Sequence, residues 1–260
     1  EWFVDNKLSI HFGEDKTKSI LFTSKNKLKK VGKLSINHGD IQIKQHTKVT
    51  YLGCILDEDL SGESMATKVI GKINSRIKFL YRKSKFLDSA LRRLLCNALI
   101  QPHFDYACSA WYPNLTQNLS KKLQTTQNKC IRFCLQLGNR FHIGATEFKQ
   151  INWLPINERF RQCVCSVVFK FFNNNCPAYM KEMFSTYIQD RNTRNAKLRL
   201  CQPYRKTNKG QKGLSYLGPS IWNKLDVDCK LIVNLNTFKH SLKINFFNEL
   251  VKKEAEIYKY

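Results

Sequence analysis

Apolar residues near the start of the chain alternate with polar ones, a pattern typical of half-buried β-strands. Segments 8–12 and 19–22 flank a polar turn and predict a β-hairpin. Segments 34–36 and 41–43 predict a second hairpin, and Val49–Leu56 predicts a further strand. The beginning of the chain is therefore expected to be mostly strand.

The spacing of apolar residues changes after Gly62. From Glu63 to Phe86 they recur every three or four positions, which predicts an amphipathic helix. A second face of this helix is basic and carries Lys68, Lys72, Arg76 and Lys83. The same spacing predicts further helices from Asp88 or Ser89 to Leu99 and over Leu119–Leu135, Ile156–Phe172 and Asn236–Glu254.

These patterns predict an α+β fold, with a small antiparallel β portion followed by a basic helical bundle and a looser C-terminal helical unit. Four parts are expected along the chain: β-hairpins over 1–60, helices over 61–189, a polar basic loop or linker over 190–213, and a small unit over 214–260.

The chain is strongly basic, with 44 Lys and Arg against 20 Asp and Glu in 260 residues, a formal net charge of +24. Such a surface attracts polyanions, so nucleic acid is the favoured partner, ahead of a membrane surface or an acidic protein. Because 42% of the residues are hydrophobic, the chain can bury a core. No apolar run approaches the ~18 residues that span a bilayer, so no membrane association is expected.

The ten cysteines contain no Cys-x-x-Cys pair, which argues against a structural zinc site. Several lie among apolar residues, where a thiol behaves as a small buried hydrophobe. We therefore expect reduced cysteines and an intracellular protein, nuclear or cytoplasmic, without a signal peptide.

The densest positive charge lies between Lys68 and Arg93, where nine basic residues accompany one acid, Asp88. Arg92 and Arg93 belong to this set, and such a surface is suited to phosphate contacts. Phe79, Tyr81 and Phe86 interleave with these charges. They can stack on bases, although at least two of them are expected in the core.

Catalytic groups are harder to find. Asp57, Glu58 and Asp59 form the densest acidic group, and a turn in which the Asp side chains bond local amides is favoured over a metal site. The sequence contains no nucleophile motif and no glycine-rich phosphate loop. We therefore predict no metal ligands and no certain catalytic residue in this chain.

Several motifs, taken in order, resemble the reverse transcriptases of non-LTR retrotransposons of the jockey and chicken-repeat type, downstream of the catalytic loop. The motif Tyr51-Leu-Gly-Cys-Ile-Leu-Asp57 is one example. The others are Trp2–Ile10, Lys16–Phe22, Leu99–Tyr106 with Trp111, Leu123–Lys129, and Gly218–Leu225 with Phe238 and Lys239.

The resemblance implies roles for these parts. Residues 1–60 would be the end of the palm, with Lys16 near the phosphates of the incoming nucleotide and Tyr51, Leu52 and Gly53 in the primer grip. The helices after Gly62 would be the thumb, holding an RNA template with its DNA primer.

The family's catalytic Phe- or Tyr-x-Asp-Asp loop is absent from the sequence. The resemblance therefore implies a part of an RNA-directed DNA polymerase that is inactive alone and needs the rest of the polymerase chain, which would hold Mg²⁺. The alternatives are a stand-alone nucleic-acid-binding protein and a decayed relic of a mobile element.

Overall fold

The structure is a computed structural model that describes residues 2–9, 11, 13, 16–32, 34–186 and 198–257. Its strands are β1 (Ile36–His38), β2 (Ile41–Ile43), β3 (Lys48–Tyr51) and β4 (Cys54–Asp57). Its helices of eight residues or more are α3 (Glu63–Arg82), α4 (Ser89–Leu99), α7 (Gln117–Leu135), α9 (Ile156–Phe172), α12 (Leu214–Trp222) and α14 (Leu235–Ile257). Shorter helices are α1 (Trp2–Asp5), α2 (Lys25–Leu28), α5 (Gln101–Asp105), α6 (Cys108–Trp111), α8 (Ala145–Gln150), α10 (Ala178–Lys181), α11 (Asn208–Gln211) and α13 (Val227–Lys230).

The strands form two separate antiparallel sheets of two strands each. β1 pairs with β2, with Ile36 opposite Ile43. β3 pairs with β4, with Lys48 opposite Asp57. A short turn then leads from β4 into α3. The described part of the chain is therefore rich in helix and has two small antiparallel sheets, which agrees with the α+β prediction.

Helix α3 is the element that links the second sheet to the helices. One side of it is apolar and buried, and consists of Met65, Ala66, Val69, Ile73, Ile77 and Leu80. This side packs on α7, while the N-terminal part of the helix packs on β4. Burial of a continuous apolar stripe is the main source of stability for a helix of this kind.

The core continues from α3 into the C-terminal helices. Helices α3 and α4 pack on α7, and both α12 and α14 pack on α9. Buried residues from Cys54 to Phe247 form one connected cluster. The core therefore crosses the boundaries expected near residues 60 and 190–213.

Two hydrogen bonds of buried side chains in this core join segments distant in sequence. The buried Gln127 donates from Nε2 to the carbonyl oxygen of Leu154 at 2.9 Å, and Trp153 donates from Nε1 to Oδ1 of Asn97 at 2.7 Å. Since an unpaired buried polar group costs ~1–3 kcal/mol, these bonds help to fix how α7, α4 and the α8–α9 connection pack.

The predicted helices are confirmed, with ends within a few residues of those expected. Asp88 caps α4 by accepting a hydrogen bond from the amide of Leu91 at 2.7 Å. The hairpin over 34–43 is also present. The single strand expected over Val49–Leu56 is instead a hairpin of β3 and β4, because Leu52 and Gly53 take left-handed φ values that reverse the chain between the two strands.

The first predicted hairpin is not formed as expected. Ile10 and Phe12 of its first strand lie outside the described residues, and 19–22 is not a strand. Instead, Ser19 forms a parallel bridge with Gln45, in which the amide of His46 donates to the Ser19 carbonyl at 2.8 Å. A partner distant in sequence replaces the local hairpin partner here.

The predicted basic loop is only partly a loop. Its residues 190–197 lie outside the described part of the chain. Beyond them, Leu200 is fully buried and its amide donates to Oδ1 of Asn223 at 3.0 Å. Residues 198–213 are therefore anchored to α12 and its C-terminal end, although Tyr204 is almost fully exposed.

The ten cysteines are all free, and seven of them are buried, as the sequence predicted. In the ranges that the structure describes, no helix is both long and apolar enough to cross a membrane.

The start of α3 depends on Gly62. This residue has a φ of +71°, and a Cβ atom there would lie 2.3 Å from the carbonyl oxygen of Trp111. We expect Gly62→Ala to lower the free energy of unfolding by at least ~2 kcal/mol, because it adds both backbone strain and a clash. Chemical denaturation measures this change.

Gly71 provides the matched control, because it lies within α3 and a Cβ atom there would meet nothing within 4 Å. Gly71→Ala should raise stability by ~0.5–1 kcal/mol, as Ala favours the helix. Equal effects of the two substitutions would contradict this account of Gly62.

Candidate nucleic-acid interface

The basic residues of α3 share the helix with a solvent-exposed aromatic ring. Phe79 lies three positions after Arg76 and four before Lys83, so the three side chains fall on one side of the helix. Phe79 is 52% exposed. We call the set Lys68, Lys72, Arg76, Phe79 and Lys83 the basic stripe.

Charge on the basic stripe is not neutralised by carboxylates. Within the described part of the chain, none of its four cations forms an ion pair. The stripe therefore presents a positive potential to solvent.

The turn between β3 and β4 lies beside the start of the basic stripe. Leu52 has a φ of +46° and Gly53 a φ of +80°, which are the left-handed values that a two-residue type I′ hairpin turn requires. Tyr51 and Leu52 are 64% and 76% exposed. The turn thus projects two large side chains into solvent on a rigid backbone.

Two side chains hold this turn in place. Nζ of Lys68 donates to the carbonyl oxygen of Gly53 at 3.1 Å, and the hydroxyl of Tyr106 donates to the carbonyl oxygen of Leu52. The carbonyl of Tyr106 in turn accepts from Nε1 of Trp111 at 3.0 Å. The turn, the basic stripe and the α5–α6 segment therefore form one connected unit.

Arg76 joins the basic stripe to the next helices. Its guanidinium donates to the carbonyl oxygen of Leu99 and to Nε2 of His103. Burial, followed by the charges of Arg76 and Lys72, lowers the pKa of His103. A neutral His103 at pH 7 is consistent with its role as the acceptor.

Arg92 has a structural position. Its guanidinium donates to the carbonyl oxygens of Leu87 at 2.9 Å, Ser84 at 2.8 Å and Phe133 at 3.3 Å. It also lies over the Phe133 ring, 5.0 Å from the centroid. These contacts occupy the side chain that the sequence assigned to nucleic acid.

Arg93 is exposed but faces a different part of the molecule. It lines a cleft together with Cys134 and Ile151, away from the basic stripe. It also lies near Lys243, whose pKa is lowered to about 8 by burial, with the charges of Arg159 and Arg93 adding to the effect. Of the predicted binding residues, the structure therefore brings together the turn and the α3 cations. Arg92 is occupied by structural contacts at the end of α3, and Arg93 lines a different cleft.

The acidic group after β4 forms the predicted turn. Oδ2 of Asp57 accepts from the amide of Ser64 at 3.2 Å and from the hydroxyl of Ser61 at 3.3 Å, and Oδ1 of Asp59 accepts from the amide of Ser61 at 3.0 Å. The Asp57 carboxylate thus satisfies an amide in the first turn of α3. Glu58 forms hydrogen bonds through its backbone. Its amide donates to the carbonyl oxygen of Thr47, and its carbonyl oxygen accepts from the amide of Thr23.

The carboxylates of this acidic group are engaged in local hydrogen bonds. Two of its carboxylate oxygens are already used by local donors, and the residues that the structure describes include no group of three or more His, Cys, Asp or Glu arranged to hold an ion.

Lys16 is exposed, and its backbone amide donates to the carbonyl oxygen of Gly13 at 2.9 Å. The neighbouring chain joins the second sheet through the Ser19–Gln45 bridge and through the amide of Thr23, which donates to the Glu58 carbonyl at 3.0 Å. Lys16 is therefore accessible to a ligand, on a segment attached to the strands that carry the turn.

The aromatic residues behave differently from the expectation. The sequence placed at least two of Phe79, Tyr81 and Phe86 in the core, but none is buried, and Phe86 is 80% exposed. Tyr81 packs edge-on against Phe133 with centroids 4.9 Å apart. The prediction failed because these three residues lie beside the apolar stripe of α3 or in the short 3₁₀ helix after it.

Sequence reasoning also missed His103 and Tyr106 as parts of this region. Both lie within the Leu99–Tyr106 motif, which was the available signal, but their partners are 27 and 54 residues away.

No protein-family model, no curated protein and no solved structure matches this chain. The likeness to reverse transcriptases consists of the motifs quoted above.

The different positions of Arg92 and Arg93 lead to different expected effects on stability. Arg92→Ala removes donors from three carbonyl oxygens and should lower the free energy of unfolding by ~2 kcal/mol. Arg93→Ala, at an exposed site, should change it by no more than ~0.5 kcal/mol. Denaturant unfolding of the two variants tests this, and a larger loss for Arg93→Ala would refute the structural role of Arg92.

Proposed function

We propose that this chain binds a nucleic-acid duplex on the basic stripe, and that it is the template–primer-binding part of an RNA-directed DNA polymerase of the non-LTR retrotransposon type. The observation that carries the proposal is a set of unneutralised cations around an exposed phenylalanine, connected by Lys68 to a rigid turn with two exposed side chains.

The dimensions of the basic stripe suit a duplex. Lys68 and Lys83 are fifteen residues apart, which is ~22 Å along a helix. Successive phosphates of one strand advance by ~3.4 Å along the duplex axis, so the stripe spans about six base pairs. Cations spaced one helical turn apart can therefore contact several phosphates without reading the base sequence.

The turn supplies the feature that a plain phosphate-binding surface lacks. By resemblance, the Tyr-Leu-Gly turn is the primer grip, and here Tyr51 and Leu52 project from a backbone held by Lys68 and Tyr106. An exposed aromatic ring next to a positive surface is suited to stacking on a terminal base. The proposal therefore places the recessed end of the primer at the turn.

The rest of the polymerase is proposed as the partner of the first strands. None of the described residues between 2 and 53 is buried, and this segment exposes large apolar side chains, including Trp2, Phe22, Ile36 and Ile41. A neighbouring palm would cover such a surface and the free edges of the β1–β2 sheet. The catalytic carboxylates and their Mg²⁺ would belong to that palm.

A second candidate is a stand-alone nucleic-acid-binding protein. The basic stripe alone would support this function, because phosphate contacts need neither Lys16 nor the turn. The two candidates differ in whether the end of a primer is recognised.

The shared part of both candidates predicts the response to salt. Lys72 and Lys83 are exposed, and the double substitution Lys72→Gln/Lys83→Gln should reduce the slope of log affinity against log salt concentration by ~2, because each lost phosphate contact removes ~0.9. Fluorescence anisotropy on a labelled duplex at several salt concentrations measures the slope.

The control is Lys252→Gln/Lys253→Gln, which removes the same charge from exposed positions near the end of α14. Nucleic-acid binding on the basic stripe is refuted if this control lowers the slope as much as the α3 variant does.

The finer proposal predicts a preference for a primer end. The chain should bind an RNA–DNA duplex with a recessed DNA 3′ end about tenfold more tightly than a blunt duplex of equal length, the value of one stacked base. Tyr51→Ala should abolish this preference, whereas Tyr204→Ala, at another highly exposed tyrosine, should preserve it. Equal affinity of the unaltered chain for both duplexes would leave only the stand-alone candidate.

A further inference from the structure

Two pairs of cysteines lie close together in the helical part of the chain. Cys108 of α6 and Cys163 of α9 line one cleft, and Cys96 of α4 neighbours Cys134 of α7. The members of each pair come from different helices, 55 and 38 residues apart in sequence. Their proximity is therefore a product of the fold.

The two pairs have different access to solvent. Cys108 and Cys163 line a cleft of about 360 Å³, and Cys163 is partly exposed. Cys96 and Cys134 are 0% and 1% exposed, although Cys134 contributes to the wall of another cleft. A small reagent in solution can therefore reach the first pair far more readily than the second.

The cleft around Cys163 carries several charged groups from three helices. Arg159 and Lys170 come from α9, Lys239 comes from α14, and Asp105 of α5 is paired with Arg159. Its lining residues are thus cationic on balance. Such surroundings favour a thiolate over a thiol.

The two thiols of the first pair shift each other's pKa in opposite directions. Hydrogen bonding with Cys108 lowers the pKa of Cys163 to about 7, with Lys239 and Arg159 contributing, while burial and Asp105 oppose the shift. The same bond, together with burial, raises the pKa of Cys108. In the second pair, the bond to Cys134 and burial both raise the pKa of Cys96.

We propose that Cys163 and Cys108 form an oxidation site, in which a hydroperoxide oxidises Cys163 and Cys108 then closes a disulfide with it. In the first step the Cys163 thiolate attacks the distal oxygen, an S–O bond forms, the O–O bond breaks, and the leaving oxygen takes a proton. In the second step the Cys108 sulfur attacks the resulting sulfenic acid, the S–O bond breaks, water leaves with the Cys108 proton, and the disulfide forms. The pair is oxidised by two electrons, which reduce the peroxide.

The experiment uses the full reduced chain and hydrogen peroxide as the probe. After timed exposure, remaining thiols are alkylated, and the disulfides and free cysteines are identified by peptide mass spectrometry. The Cys108–Cys163 disulfide should appear at least about tenfold faster than any product at Cys96 or Cys134, because thiolate character and access control the rate. Its rate should also rise as the pH is raised through about 7, where Cys163 loses its proton.

Three variants separate this proposal from general oxidation. Cys163→Ser should abolish the product, and Cys108→Ser, which keeps a hydroxyl donor, should leave Cys163 as a sulfenic acid that dimedone traps. Cys134→Ser should leave the Cys108–Cys163 product unchanged. Circular dichroism verifies that each variant is folded. The pH dependence of the unaltered chain is a test that needs no variant: a rate of Cys108–Cys163 disulfide formation that falls as the pH rises would contradict the proposal.

The proposal is overturned if the unaltered chain forms no Cys108–Cys163 disulfide, or if the two thiol pairs react at equal rates. It is also overturned if dimedone labels the Cys108→Ser variant elsewhere but not at Cys163.

Discussion

The packing of α3 against the Trp111 backbone is the constraint on which the rest of the candidate site depends. Gly62 allows the carbonyl of Trp111 to approach the start of the helix more closely than any side chain would permit. The buried apolar side of α3 then fixes its rotation, so that the basic stripe faces solvent. The turn is positioned relative to the stripe because β4 leads into the same helix and Lys68 bonds back to Gly53.

The basic residues serve two purposes that their charge alone does not distinguish. Arg92 satisfies carbonyl oxygens after the end of α3 and in α7, and Arg76 connects α3 to the end of α4 and to α5. Lys72 and Lys83 are exposed and without a carboxylate partner among the described residues. The formal charge of +24 therefore includes cations that stabilise the fold as well as cations available to a polyanion.

The helical part of the fold was predictable because its helices are amphipathic and their apolar sides face one core. Helix α9, for example, begins at Ile156 and ends at Phe172 as expected. The strands were harder, since a short strand depends on its partner: Ser19 pairs with Gln45 rather than across a local turn. The same limit applies to side chains, because nothing local in the sequence separates Arg92, which turns inward, from Arg93, which does not.

In the candidate site, the Tyr-Leu-Gly turn and the cations of α3 were predictable from motif and spacing. Their connection was not, because Tyr106 reaches Leu52 across 54 residues. The exposure of Phe79 could not be read from its type, since a phenylalanine in an amphipathic helix is more often buried. These long-range contacts are what convert separate motifs into one surface.

Photo-crosslinking of a primer–template tests the central claim most directly. A photoreactive nucleotide is placed at the recessed 3′ end of the DNA primer, annealed to RNA, and the crosslinked peptide is identified by mass spectrometry. The account predicts crosslinks within Tyr51–Gly53, with duplex positions upstream of the primer end crosslinking to α3. Crosslinks from the primer end that map only to segments outside the turn and α3 would contradict it.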